Sequence, residues 1–148
     1  MLFILDTSTY IRILCDRPFA ERAEAALRRI APRLYLSSVV RAELTQGARG
    51  KKGRALVARL ARRLERVGRV VTPLHQDWIR AATVQSMIWD AEPSLRQRRL
   101  QNDLLIACGS TRVGAILVTD NEQDYRIIDR WIPTKRIGSA HLTATCGP

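Results

Sequence analysis

The residues best suited to chemistry in this chain are four carboxylates placed at the ends of predicted strands or on predicted helices. They are Asp6, Glu43, Asp103 and Asp120. Asp6 follows the apolar run 2–5, and Asp120 follows the mostly apolar run 115–119. In an open parallel sheet, ligands bind beyond the carboxyl ends of the strands, where both side chains would lie. Carboxylates gathered in one pocket repel each other, and a hard divalent cation is the usual reason for such a group. The pattern predicts a metal-dependent phosphodiesterase.

The charge of the chain points to a nucleic acid as substrate or ligand. The 148 residues carry 25 Lys and Arg against 14 Asp and Glu, a net charge of +11, and the excess is almost entirely arginine. Guanidinium groups match phosphate oxygens in a two-pronged geometry, so an arginine-rich surface favours nucleic acid. A high-GC coding bias would explain arginine in place of lysine, but it would not explain the net charge. The length fits one domain spanning residues 1–148.

Cysteine usage and hydropathy bear on where the protein works. Cys15, Cys108 and Cys146 show no CxxC spacing, and Cys108 falls on an apolar helical face as an expected buried thiol. The apolar N-terminal run is too short for a signal peptide, and no run approaches the ~20 residues of a membrane span. These features predict a soluble, cytoplasmic protein.

Short apolar runs alternate with helical patterns along the chain. A helix opens at Asp16 and ends near Pro32, and others are expected over 54–67, from about Asp77, and from Asp103 to Gly114. This alternation predicts a three-layer α/β/α sandwich around a mostly parallel sheet. The predicted strands are 2–5, 34–36, 70–72, 115–119 and an edge strand at 136–138.

Glu43 is expected to face inward from a helix capped by Ser37 or Ser38. Val39 and Val40 lie four and three residues before it, so the three side chains share a face. An inward carboxylate needs a partner, which is a metal ion in one interpretation and a nearby arginine in the other.

Asp103 is the weakest of the four positions taken alone. Asn102 is expected to cap a helix that begins at Asp103, where the helix dipole favours an ionised carboxylate. Helix capping therefore explains this aspartate about as well as catalysis does.

Two groups of arginines are candidate contacts for an RNA backbone. The first lies on the polar face of the helix 54–67, opposite an apolar stripe formed by Leu56, Val57, Leu60, Leu64 and Val67. The second lies in the polar segment 90–101, which is expected to be a loop or short helix near the site. The segment 47–53 is expected to be a loop or a frayed turn. An exposed arginine face is more often merely solvated. The candidates are Arg59, Arg62, Arg63, Arg66, Arg96, Arg98 and Arg99.

Taken together, these positions resemble the PIN domain, and in particular the VapC-type ribonuclease toxins of bacterial toxin–antitoxin pairs. The resemblance covers nearly the whole chain in order and spacing, although each piece alone is weak. It is carried by the segments 5–8, 37–44, 102–107 and 116–121, the last lying ahead of Asp124-Tyr125.

The resemblance implies a metal-dependent endoribonuclease in which Asp6, Glu43 and Asp103 hold Mg²⁺ or Mn²⁺. The fourth acidic position stays open: either Asp120 is the ligand, which we favour here, or Asn121 takes the position and Asp124 supplies a water-bridged carboxylate. The remaining candidates are hydroxyls that resemble those which orient ligands or water in such sites, Ser8 and Thr119.

Oxygen ligands suit Mg²⁺, and attack by metal-activated water would leave a 5′-phosphate and a 3′-hydroxyl. By resemblance, the expected partners are a small antitoxin whose tail crosses the basic groove and a second copy of the chain.

Three other interpretations are possible from the sequence. A receiver-like phosphoacceptor would need an aspartate after the strand 70–72, where Pro73 stands instead. A non-catalytic nucleic-acid-binding module would use the arginine surface but would not require Asp6 or Glu43 where they are. An inactive PIN-like scaffold is left open by the ambiguous fourth acidic position.

Overall fold

Five parallel strands form the central sheet in a computed structural model that describes residues 1–144. The strand order across the sheet is β3-β2-β1-β4-β5, and every neighbouring pair is parallel. The predicted α/β/α architecture is therefore confirmed. The strands are β1 Leu2–Leu5, β2 Leu34–Ser37, β3 Val70–Val71, β4 Ala115–Val118 and β5 Arg136–Ile137.

Helical connections join the strands, because parallel neighbours cannot be linked by a tight hairpin. The chain moves outward from β1 through β2 to β3 and then returns to β4, so right-handed crossovers place helices on both faces of the sheet. Short 3₁₀ segments occur at Ala31–Arg33 and Pro93–Gln97. The helices are α1 Thr7–Cys15, α2 Arg17–Ile30, α3 Ser38–Gly47, α4 Gly50–Arg66, α5 His75–Ala91, α6 Gln101–Arg112, α7 Glu122–Ile128 and α8 His141–Ala144.

The strand order reverses between β1 and β4, and this point defines the crevice of the sheet. β1 leads to its neighbour β2 on one side, while β4 leads to β5 on the other. The two strands are in register from Leu2 opposite Ala115 to Leu5 opposite Val118. Asp6 and Thr119 therefore leave the sheet side by side, at the place where doubly wound folds bind ligands.

The core beneath this crevice is apolar and fully buried. Leu5 and Val118 at the strand ends are buried, as are Leu104 and Leu105 of α6 and Tyr125 of α7. Each fully buried aliphatic side chain contributes ~1.5–3 kcal/mol relative to an exposed one. The strand ends are thus a fixed platform for the polar residues that follow them.

The junction between α3 and α4 is shorter than the sequence suggested. The loop or frayed turn predicted over 47–53 is confined to residues 48 and 49, because α3 continues to Gly47 and α4 begins at Gly50. Gly50 has φ +60°, a left-handed conformation that glycine adopts without strain and that turns the chain within a single residue. The glycines here make a tight corner between two helices.

The apolar stripe of α4 is narrower than predicted. Val57, Ala61 and Leu64 are buried at the spacing of one helical face. Leu60 and Val67, expected in the stripe, are 37% and 59% exposed. Both side chains lie at the margin of the buried face and are exposed to solvent.

Among residues 1–144, no helix is both long enough and apolar enough to cross a membrane. Cys108 is buried as expected, and burial raises the pKa of its thiol, whereas Cys15 is exposed. Cys146 lies outside the described residues.

Candidate acidic site at the carboxyl edge of the sheet

Asp6 is the most deeply buried of the predicted site carboxylates, with 3% of its surface exposed. Its backbone N–H donates to the carbonyl oxygen of Val118 at 2.9 Å, which ties it to the neighbouring strand. Its Oδ2 accepts hydrogen bonds from Thr119 Oγ1 at 2.7 Å and from Ser8 Oγ at 3.2 Å. Both hydroxyl residues that the sequence singled out therefore hold this carboxylate.

Thr119 and Ser8 also connect Asp6 to the segment that follows β4. The backbone N–H of Asn121 donates to Thr119 Oγ1 at 3.0 Å, and that of Asp120 donates to Ser8 Oγ at 3.2 Å. The two hydroxyls thus fix the path of the chain after β4 relative to Asp6.

Glu43 reaches the same edge of the sheet from α3. Its Oε2 accepts a short hydrogen bond from Thr7 Oγ1, and its Oε1 accepts one from Asn102 Nδ2 at 2.8 Å. The alternative of an arginine partner is not realised: Arg41 instead pairs with Glu65 at 3.1 Å, and Glu43 forms no ion pair within residues 1–144. Neutral donors hold Glu43 and leave its charge uncompensated.

The helix that carries Asp103 begins earlier than predicted. α6 starts at Gln101 with Leu100 in the N-cap position, so the prediction that Asn102 caps a helix starting at Asp103 is wrong. The Asn102 side chain reaches across to Glu43 instead of capping its own helix. Ser37 does occupy the N-cap position of α3, although its side chain makes no capping hydrogen bond.

Asp103 stands in the first turn of α6 and is partly buried. Burial, followed by the charges of Asp6, Asp124 and Glu43, raises the pKa of its carboxyl to about 7. A 3.4 Å hydrogen bond from Asn121 Nδ2 to its Oδ1 acts in the opposite direction. Asp103 therefore carries the combined repulsion of three other carboxylates in addition to the effect of its burial.

The pKa of Asp6 is also raised, chiefly by burial and in smaller part by the charge of Glu43. The hydroxyls of Thr119 and Ser8 lower it without cancelling the effect. One buried and one partly buried carboxyl group, both with raised pKa values, in one cleft are a common sign of a functional site.

Asp124 completes the acidic group from α7. Its Oδ1 accepts a short hydrogen bond from Arg98 Nε, and its Oδ2 accepts one from Asn121 Nδ2 at 3.0 Å. Asn121 therefore bridges Asp124 and Asp103. We call Asp6, Glu43, Asp103 and Asp124 the acidic group.

Asp120 points away from the acidic group. Its Oδ1 accepts from the backbone N–H of Ser139 at 2.8 Å, and its Oδ2 accepts from Ser139 Oγ at 2.5 Å and from Arg12 Nη1 at 3.2 Å. Partial burial would raise its pKa, but these hydrogen bonds and the Arg12 charge outweigh that effect and lower it. Its contacts are those of an aspartate that ties the segment after β5 to α1. The geometry therefore favours the second alternative, in which Asn121 and Asp124 fill the fourth acidic position.

The two arginine groups lie in different places. Arg98 contacts the acidic group directly, and Arg96 and Arg99 line a cleft beside it. The α4 arginines Arg59, Arg62, Arg63 and Arg66 are exposed on the outer face of that helix. Arg63 shares a cleft with Arg69. The guanidinium of Arg69 donates to the carbonyl of Ala31, in the 3₁₀ segment that precedes β2. The end of α4 therefore lies at the amino edge of the sheet. The second group, and not the first, is next to the site.

The acidic group fits a divalent cation in donor chemistry and in charge. All its donors are carboxylate oxygens, the type of ligand that Mg²⁺ and Mn²⁺ take. The pKa of Asp103 is raised first by burial and then by the charges of the neighbouring carboxylates, and a cation would offset those charges. Within residues 1–144, however, no three His, Cys, Asp or Glu side chains stand close enough together to hold an ion as they are. Binding would therefore require the side chains to converge.

Sequence reasoning missed two residues of this site, Thr7 and Asn102. Their signal was their position beside Asp6 and Asp103, but their partner, Glu43, is distant in sequence and only the fold brings them to it.

The PIN domain family model matches residues 3–130 of the chain. No curated protein sequence gives a significant match. Several solved structures share the fold. The VapBC complex of Salmonella typhimurium bound to DNA has a TM-score of 0.70 and 21% identity, covering 94% of this chain and 99% of that chain. VapBC2 of Rickettsia felis, bound to a promoter DNA fragment, has a TM-score of 0.67 and 21% identity, covering 93% and 98%. FitAcB of Neisseria gonorrhoeae has a TM-score of 0.66 and 22% identity, covering 95% and 99%. At these identities the likeness is one of fold.

Proposed function

Because the chain belongs to the PIN domain family, we propose that it is a metal-dependent endoribonuclease and that residues 1–148 form one nuclease domain. The observation that carries the proposal is the acidic group, in which burial and the neighbouring carboxylates raise the pKa of Asp103 to about 7. A fold that gathers like charges at its ligand-binding edge implies a positive partner, since structural residues would not be arranged to repel each other.

The proposed catalytic set is Asp6, Glu43, Asp103 and Asp124, with Asp120 as a structural residue. Asp6 and Asp103 are the central pair, because Asp6 is buried, Asp103 is partly buried and both have raised pKa values. Glu43 is positioned by Thr7 and Asn102, and Asp124 by Asn121 and Arg98. These neighbours hold the two carboxylates at the edge of the site, from which they would converge on a cation.

The proposed cofactor is Mg²⁺, with Mn²⁺ as an alternative, held by oxygens of Asp6, Asp103 and the carboxylates beside them. When bound, the ion would lower the pKa of a water molecule and offset charge on the scissile phosphate. The protein has no histidine in the acidic group to act as a base, since His75 begins α5 and His141 contacts the carbonyl of Gly138. Water deprotonated in this way would attack the phosphate and leave 5′-phosphate and 3′-hydroxyl ends.

Arginine charge beside the acidic group supports an RNA strand as substrate. The carboxylates alone would repel a polyanion, whereas Arg96 and Arg99 offer exposed guanidinium groups next to them. A strand could pass the acidic group with its neighbouring phosphates on these arginines.

We further propose that the protein is the toxin of a toxin–antitoxin pair, that it forms a homodimer and that it is cytoplasmic. The support for an antitoxin partner is the shared fold with the VapBC and FitAcB structures named above. The homodimer and the cellular location stay predictions.

Incubation of purified protein with labelled RNA tests the proposal. Wild type, Asp6→Asn and the control Asp90→Asn, an exposed aspartate at the end of α5, would each be assayed with Mg²⁺, with Mn²⁺ and with EDTA. Cleavage by wild type and Asp90→Asn in metal only, with none by Asp6→Asn, is the expected result. Salt-sensitive RNA binding by all three proteins without cleavage would favour the non-catalytic binding module instead.

A further inference from the structure

An open cleft of about 660 Å³ lies beside the acidic group, between the end of α5 and the start of α6. Its volume falls within the ~300–1,000 Å³ range of small-molecule sites. Arg98 and Asn102 line it and also contact Asp124 and Glu43, so the cleft continues directly into the acidic group. A ligand bound in it would lie next to the carboxylates.

Gln85 borders this cleft, and the nitrogen of its side-chain amide has no hydrogen-bond partner among the described residues. The residue is 7% exposed, and its Oε1 accepts a hydrogen bond from the backbone N–H of Leu100 at 3.3 Å. That bond identifies which atom is the oxygen and leaves Nε2 as a donor, and within residues 1–144 Nε2 has no hydrogen-bond partner. A buried donor left unpaired destabilises the fold by ~1–3 kcal/mol, so a native structure that keeps one calls for an explanation.

Trp89 stands four residues after Gln85 on α5, so both side chains project from the same face of the helix. It lines the cleft and keeps 36% of its surface exposed. An exposed indole beside a basic cleft is a platform on which a nucleobase can stack.

Two of the three arginines that line the cleft, Arg96 and Arg99, are free to bind phosphate. Arg98 is held by Asp124, whereas Arg96 and Arg99 form no ion pair with any residue from 1 to 144 and are exposed. The side chains around the cleft are thus mainly hydrogen-bond donors, with no carboxylate among its lining residues.

We propose that this cleft binds one unstacked nucleotide of the RNA, next to the scissile phosphate, and that it prefers a base with a keto oxygen. Arg96 and Arg99 contact the phosphate, Trp89 stacks on the base, and Gln85 Nε2 donates to the keto oxygen. Guanine, uracil and cytosine each carry such an acceptor, whereas adenine has no keto oxygen. The inference rests on the proposed nuclease function, because the acidic group places the scissile phosphate beside the cleft.

Binding of short RNAs tests the inference apart from cleavage. The probes are four fluorescein-labelled heptanucleotides of adenosine whose central base is A, C, G or U. Fluorescence anisotropy would be measured in Ca²⁺, with intact probe verified on a gel. The proteins are wild type, Gln85→Glu, Trp89→Leu, Arg99→Gln and the control Arg22→Gln, which removes an equal charge from the exposed face of α2.

Wild type is expected to bind the G, U and C probes about fivefold or more tightly than the A probe, in keeping with one hydrogen bond gained. In Gln85→Glu an oxygen still accepts from Leu100, but the donor is lost, so the preference should disappear. Arg99→Gln should weaken all four probes about equally by losing a phosphate contact. Trp89→Leu should weaken binding of the G, U and C probes about tenfold through lost stacking. Arg22→Gln should match wild type.

Equal binding of the four probes by wild type would overturn the inference, as would an unchanged preference in folded Gln85→Glu. If circular dichroism shows that Gln85→Glu is unfolded, the affinity of Trp89→Leu for the probes becomes the deciding measurement. Binding by Trp89→Leu as tight as that of wild type would overturn the inference. The same probes incubated in Mg²⁺ and Mn²⁺ report on the nuclease separately. A base preference without RNA cleavage would support the nucleotide subsite and contradict the proposed nuclease function. Cleavage without a base preference would support the nuclease function and contradict the nucleotide subsite.

Discussion

The carboxyl groups of Asp103 and Asp6 lie close enough that the charge of one raises the pKa of the other. After burial, the Asp6 charge is the largest cause that brings the pKa of Asp103 to about 7. The two residues come from different elements, the first turn of α6 and the end of β1, which only the folded sheet brings together. The fold therefore keeps the two carboxyl groups close together despite their mutual repulsion.

Asp103→Asn should stabilise the metal-free protein at pH 8. The folded-state pKa of about 7 lies above the ordinary aspartate value of 3.8, so the folded state binds a proton between these pH values that the unfolded state has lost. The stability of wild type therefore falls as pH rises through this window. The gain in the free energy of unfolding of Asp103→Asn over wild type should be absent near pH 4. Above pH 7 it should level off at roughly 1–3 kcal/mol, which is less than the pKa shift implies because the side chain is partly solvated. Urea unfolding at several pH values measures it.

Asp90→Asn is the matched control for this curve, since Asp90 is exposed. It should follow wild type across the whole pH range. If Asp103→Asn were less stable than wild type at pH 8, Asp103 would be an ordinary structural partner and the repulsion would be absent.

Mg²⁺ or Mn²⁺ should raise the melting temperature of wild type and of Asp90→Asn, but not of Asp6→Asn or Asp103→Asn. An ion that binds only the folded state adds ~2.7 kcal/mol at a hundred times its dissociation constant. For a chain of this size each kcal/mol corresponds to about 2–4 °C. Thermal melts with increasing metal concentration measure the shift. An unchanged melting temperature for wild type at millimolar metal would remove the main support for a cation site.

Asp120→Asn and Asp124→Asn should have different effects. Asp120 accepts hydrogen bonds from Ser139 and Arg12, so its replacement should lower stability by about 1 kcal/mol and leave cleavage within a few-fold of wild type. Asp124→Asn should lower the cleavage rate at least tenfold, since second carboxylates around metal ligands have effects of about this size. Rates of RNA cleavage and melting temperatures of both variants decide the assignment. Loss of cleavage in Asp120→Asn with Asp124→Asn active would restore Asp120 as the fourth acidic residue.

Thr7→Val should lower the cleavage rate by removing the hydroxyl that donates to Glu43. We expect a loss of about tenfold, with a matching rise in the metal concentration needed for half-maximal activity. Thr7→Ser keeps the hydroxyl and should retain wild-type values. Equal activity of the Val and Ser variants would mean that Thr7 does not position Glu43.

Much of the fold could be predicted from residue patterns. The apolar runs predicted as strands form parallel strands of the sheet. Asp16, where a helix was predicted to open, caps α2 by accepting a hydrogen bond from the backbone N–H of Phe19 at 2.9 Å. α1 was not anticipated, because its sequence is rich in β-branched residues with low helix propensity. Its helical state depends on packing against α2 and on the tie of Thr9 Oγ1 to the carbonyl of Val118.

The site was predictable in its acidic residues but not in their partners. The position of Asp6 after a buried strand implied its location at once. The direction of Asp120 could not be read from the sequence, since it depends on Ser139, which the chain reaches only after β5. The same holds for Asn102, whose sequence position suits a helix cap and whose side chain instead serves Glu43.

The ends of the RNA products test the central claim most directly. Wild type and Asp103→Asn would cleave an unlabelled RNA in Mn²⁺, and polynucleotide kinase would then label the products before and after phosphatase treatment. The account predicts that only wild type gives products and that they accept label only after phosphatase, because they carry 5′-phosphates. Products with free 5′-hydroxyls, or cleavage that persists in both EDTA and Asp103→Asn, would contradict a metal-dependent nuclease centred on the Asp6–Asp103 pair.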